Sequence, residues 1–167
     1  MKLIIILRAP ISRAFSQYNM CVLRGGKTLD DLTEEQIFNG VTSEENIKLN
    51  EIKSNGGYMV VRGFYDEILE YILSKFSRDN LYIGISEEIN KNKLENYNKI
   101  YDFLGATKIN NIPDLNCHKR KYARTIPKKL EEHLYNIYKP HNDKLYKLLD
   151  RKIDIWENYY DKLKSTF

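Results

Sequence analysis

Apolar and polar positions divide the chain into short structural elements. The run "LIIIL" at 3–7 shows no alternation, which predicts a strand buried on both faces of a parallel sheet. Pro10 then opens a helix over 11–24, and Gly25-Gly26 supplies its stop. "TEEQ" from Thr33 has the capping-box pattern and "SEEN" from Ser43 offers an N-cap, so two short helices should precede the "NGG" turn at 55–57. Over 64–76, Ile68, Leu69, Ile72, Leu73 and Phe76 share one helical face. "NLYIGIS" at 80–86 reads as a second strand after an "RDN" turn. Leu94, Tyr97, Ile100, Tyr101 and Leu104 make another apolar stripe, closed by Gly105. Residues 106–127 look irregular and basic. Two helices follow at about 128–138 and 141–150, divided by Pro140, and Trp156 packs the tail. The expected class is α/β with a small parallel sheet flanked by helices.

Composition narrows the class without choosing a chemistry. At 167 residues the chain is about one domain long, and 42% apolar with 30% charged residues is ordinary for a soluble globular protein. The formal net charge of +4 does not demand a nucleic-acid partner, and no DNA- or RNA-binding motif is present. Cys21 and Cys117 are the only cysteines, with neither CxxC spacing nor a histidine cluster, so no metal site is expected and both should be free thiols. The apolar run at 3–7 is too short for a signal peptide or a membrane span, which reads as a cytoplasmic protein with no membrane partner.

The candidate chemistry begins where the first strand stops. Arg8 falls at the carboxyl end of a predicted parallel strand, where open α/β sheets bind ligands, and a helix follows directly. A helix N-terminus favours an anion, and an arginine fork can bind phosphate through two charge-assisted hydrogen bonds. Ser16, eight residues on, can add a hydroxyl donor. From spacing alone a second reading stays open, with Arg8 capping a strand and Ser12 and Ser16 lying on the helix surface. Glu87 and Glu88 could be paired acid–base carboxylates, but Glu87 fits a strand-end anchor better. His133 and His141 read as surface positions on helices. Tyr58 and Tyr65 could border an acceptor groove.

"LRAPISRAFSQY" at 7–18 resembles the R-x-P-x-x-R-x-x-S-x-Y segment of sulfotransferases that use 3′-phosphoadenosine 5′-phosphosulfate (PAPS). Four further segments resemble that family in order. Residues 61–89 are similar to its G-x-Y-x-x-x-L helix and the strand after it, matched at Gly63, Tyr65, Leu69, Phe76 and Glu87. "YDFLGA" at 101–106 is similar to a helix end. "CHKRKYARTIPKKL" at 117–130 resembles the K-G-R-x-x-P loop of heparan sulfate sulfotransferases, and "YKPHNDKLYKLL" at 138–149 resembles an f-x-P-x-N-x-x-L-x-x-L helix pair.

The resemblance implies an incomplete, P-loop-like, three-layer sulfotransferase fold, with residues 1–167 as a single partial domain. It implies PAPS as sulfuryl donor, with Arg8 and Ser16 on the 3′-phosphate and Arg13 at the second arginine position. The basic loop would fold over the nucleotide. Arg124 carries over directly, while Tyr122-Ala123 replaces Lys-Gly, so Lys119 or Lys121 must supply the lysine. From Cys117 onward there are 13 Lys/Arg against 7 Asp/Glu, although a charge run is commonly only a solvated surface. No P-K-x-G-T phosphate loop occurs, so the expected first strand, cofactor loop and general base are missing and the catalytic residues are unknown. The reading is sulfuryl transfer to a hydroxyl or amine, with a saccharide as acceptor. A partner chain or self-association through an exposed sheet edge would complete it. The alternative is a non-catalytic interaction module that keeps the fold.

Overall fold

The computed structural model describes residues 1–47, 59–113 and 124–165. In chain order the elements are β1 (Leu3–Leu7), α1 (Pro10–Arg24), α2 (Glu34–Val41), α3 (Glu44–Ile47), α4 (Tyr65–Leu73), β2 (Leu81–Ile85), α5 (Ser86–Lys91), α6 (Lys93–Leu104), α7 (Lys128–Leu149) and α8 (Asp154–Lys164). The chain divides into two compact units. A sheet unit takes Met1–Arg8 and Leu69–Arg120, and a helical unit takes Ala9–Ile68 and Lys121–Phe167.

In the sheet unit β1 and β2 pair in parallel, in register from Leu3↔Leu81 to Leu7↔Ile85. Leu7, Leu81 and Ile85 are buried on one face. The other face departs from the expected double burial, for Ile4 is 41% and Ile6 47% exposed. An unalternating apolar run signals that both faces can be buried; the surrounding elements decide whether they are. Gly84 shares that open face, and a Cβ there would lie 2.8 Å from Ile6 Cδ1 and 3.0 Å from Ile89 Cδ1, so its bare backbone admits both side chains. Phe103 of α6 meets the Tyr82 ring at 5.7 Å and receives Lys2 over its own ring. Gly105 ends α6 in the left-handed region at φ 75°, with Ala106 N–H bonded back to Tyr101 O, as the sequence predicts. The α6 stripe is only partly covered, since Leu94, Tyr97 and Leu104 stay exposed.

The helical unit holds most of the core. The capping box at Thr33 is formed, with Gln36 N–H donating to the Thr33 hydroxyl at 3.1 Å and Thr33 N–H to Gln36 Oε1 at 2.8 Å. The expected break at Pro140 does not occur, and α7 runs unbroken through it. Its buried residues Leu130, Leu134, Tyr138, Asn142 and Leu145 keep helical spacing on both sides of the proline. Pro140 and Asn136 are both exposed, so the carbonyl that the missing N–H leaves unpaired faces water and costs little. Trp156 packs the tail as expected. It is 1% exposed, with its ring centroid 6.2 Å from that of Tyr65. Tyr65 is itself buried core, while Tyr58 and the 55–57 turn lie outside the described residues.

Candidate functional site

At the carboxyl end of β1 the chain passes from Leu7 through Arg8 to Ala9, the N-cap of α1, with Pro10 at the first helical position. The first turn of α1 contains no acidic residue, and its N-cap makes no side-chain hydrogen bond. One step beyond the last register pair, Arg8 comes level with Ser86, where α5 starts with Glu87 and Glu88. Within the sheet unit, the end of β1 at Arg8 and the start of α5 therefore lie at the same end of the strand pair. Ser16 lies on α1 in the helical unit, one turn past Ser12, on a half-buried stretch beside the Ile11, Ala14, Phe15 and Tyr18 core positions.

Arg13 and Arg124 both donate hydrogen bonds within the helical unit. Arg13 donates to Gln17 Oε1 at 2.9 Å and to the Met59 carbonyl, while Tyr138 O–H donates to the Val60 carbonyl at 2.9 Å. The Asn46 carboxamide oxygen accepts from Met59 N–H at 3.2 Å. Helices α1 and α7 thus grip the same short segment, and burial holds the Tyr138 phenol above its ordinary range. Arg124 donates to the Leu32 carbonyl at 2.7 Å, tying the start of the C-terminal helices to the turn after Leu29–Asp31. Lys119 and Lys121 lie outside the described residues. Among the described residues no group of three or more His, Cys, Asp or Glu could hold a metal, and Cys21 is a free thiol. No helix among them is long and apolar enough to cross a membrane.

One cluster escaped the sequence reading. His141, expected on the surface, points Nδ1 at Asp66, 2.9 Å from Oδ1 and 3.1 Å from Oδ2. Asp66 is 1% exposed and sits in the first turn of α4. The imidazole lies flat on Phe64, with centroids 3.7 Å apart and planes 8° from parallel. The partners are 75 residues apart, so no spacing signal could have joined them.

No protein-family description matches the chain, and no curated protein matches it in sequence. Among solved structures, a sulfotransferase from Alicyclobacillus acidocaldarius superposes with a TM-score of 0.66 at 22% identity, over 93% of this chain and 57% of that one. The fold is sulfotransferase-like. The chain spans little more than half the length of that protein. The α/β class expected from the sequence, a small parallel sheet flanked by helices, agrees with this fold.

Proposed function

We propose that the chain carries the nucleotide-gripping part of a PAPS-dependent sulfotransferase acting on a saccharide hydroxyl or amine. The observation that carries this reading is Arg8, at the end of a parallel strand and the foot of a helix with no acidic first turn, in a fold shared with a sulfotransferase. These donors suit an anion, and they fit the 3′-phosphate end of the nucleotide. In this reading Arg8 and Ser16 hold that phosphate, and Arg124 with Lys119 or Lys121 closes over it. PAPS, when bound, supplies an activated sulfuryl group. As in phosphoryl transfer, the protein positions the reactants and stabilises the charge that develops.

The backbone amides and lysine for the 5′-phosphosulfate come, in this reading, from a partner chain. Among the described residues β1 has β2 as its sole strand partner, which leaves an edge to which another strand can add. Calorimetric titration with 3′-phosphoadenosine 5′-phosphate tests the nucleotide site. The full chain should bind, and Arg8→Ala should weaken binding by roughly 10- to 100-fold, the value of a charge-assisted pair. Absence of heat, or equal affinity in the variant, ends the proposal.

A further inference from the structure

We propose that Ser86 reads a ribose hydroxyl beside the phosphate that Arg8 holds. It rests on the nucleotide reading above, in which that hydroxyl is the 2′-OH of 3′-phosphoadenosine. The strand ladder places the residue. β1 and β2 pair through Ile4↔Tyr82 and Ile6↔Gly84, so those four positions share one face of the sheet. Ile85 is still extended, with φ −109° and ψ 121°, so the same row runs on one step to Arg8 and Ser86. Adjacent strands lie about 4.8 Å apart, which sets the two residues side by side at the carboxyl ends of the strands. Both belong to the sheet unit, so the pair needs nothing from the helical unit.

Ser86 is half-buried, and its hydroxyl makes no hydrogen bond to any described residue. A serine that only starts a helix spends its hydroxyl on the backbone of the first turn. Ser86 does not, since the N-cap of α5 is Ile85 and no side chain caps that turn. Its hydroxyl can therefore donate and accept toward a ligand. The neighbours decide which ligand group suits it. Glu87 and Glu88 follow directly, and two carboxylates there oppose a second phosphate contact. They do not oppose a neutral hydroxyl, which can itself donate. The cation stands at the end of β1 and the carboxylates at the end of β2, so phosphate suits Arg8 and hydroxyl suits Ser86. In a ribose that carries a 3′-phosphate the 2′-OH sits on the adjoining carbon, so two neighbouring residues can meet the two groups.

Calorimetric titration of the full chain with 3′-phosphoadenosine 5′-phosphate and with its 2′-deoxy analogue tests the assignment without any assay of activity. The wild-type chain should bind the deoxy ligand about 3- to 10-fold more weakly, the value of one neutral hydrogen bond. Ser86→Ala should weaken the ribonucleotide by the same factor, leave the deoxy ligand unchanged and so bind both alike. Ser86→Thr keeps a hydroxyl and should keep the preference. Equal affinity of the wild-type chain for both ligands, or an unchanged preference in Ser86→Ala, overturns the inference and leaves the nucleotide reading standing. If neither ligand gives heat with the wild-type chain, the nucleotide reading falls and the inference falls with it. Loss of both ligands in Ser86→Ala together with a lowered urea midpoint assigns Ser86 to the fold, and that also overturns the inference.

Discussion

The helical unit buries Ile11, Phe15, Leu130, Leu134, Tyr138, Trp156 and Tyr160 in one aromatic-rich core, whereas the sheet unit buries little beyond Leu7, Leu69, Leu81, Ile85 and Ile89. The sheet unit also leaves Ile4, Ile6, Tyr71, Leu94, Tyr97 and Leu104 exposed. One chain thus holds a well-filled helical core and a sheet whose apolar surface, among the described residues, is only partly covered. Burial sets stability at about 25 cal/mol per Å² of apolar surface, so the two regions should resist unfolding very differently. The difference also has a functional side. The proposed anion grip starts at the end of β1, in the thinly covered unit.

The sharpest way to break this comparison is to cut the helical core. Trp156→Ala should cost about 3–5 kcal/mol and lower the urea midpoint strongly, because a fully buried indole leaves a large cavity. A loss below 1 kcal/mol would mean that this core is not the main source of stability. Glycines give a finer contrast. A Cβ at Gly63 would lie 2.6 Å from the Tyr138 ring, held in place by its bond to Val60, so Gly63→Ala should cost about 1–3 kcal/mol. At Gly84 the obstacles are the terminal methyls of Ile6 and Ile89, which can turn aside, and Gly84→Ala should cost under about 1 kcal/mol in the same denaturation experiment.

Alkaline pH should separate the units by charge. Burial raises the phenols of Tyr138, Tyr146, Tyr159 and Tyr160, all in the helical unit, and hydrogen bonds to Glu157 and Glu131 raise Tyr146 and Tyr159 further. A raised folded-state pKa gives stability that is intact below the free-phenol value near 10 and is lost as pH climbs above it. Urea midpoints should therefore hold from pH 8 to about 10 and then fall, with a shallower fall in Tyr146→Phe. A flat profile through pH 11 would contradict the buried tyrosine cluster. The smallest effect is expected on the open face of β1. Ile4→Thr and Ile6→Thr should each stay within about 0.5 kcal/mol, since threonine keeps the β-branch and little burial is lost. A larger loss in the isolated chain would show that another surface covers that face.

Much of this architecture could be read from residue order. Both strands, the Thr33 cap, the Gly105 stop and the anchoring tryptophan follow from local rules, because capping, turn chemistry and hydrophobic period act over a few residues. Pro140 misled because a proline's local penalty was weighed without the buried stripe on both sides of it. Arg8 was legible as a strand-end arginine. His141 was not, since its meaning comes from Asp66, far away in the chain.

The sequence by itself determined where most elements start and stop and that Arg8 falls at a strand end, since those properties are carried by neighbouring side chains and the backbone between them. The tertiary structure alone decided how much of β1 is covered, whether α7 continues through Pro140, and that His141 meets Asp66. Each of those is set by packing between segments distant in the chain, and burial and hydrogen-bond direction take their value only once such segments meet.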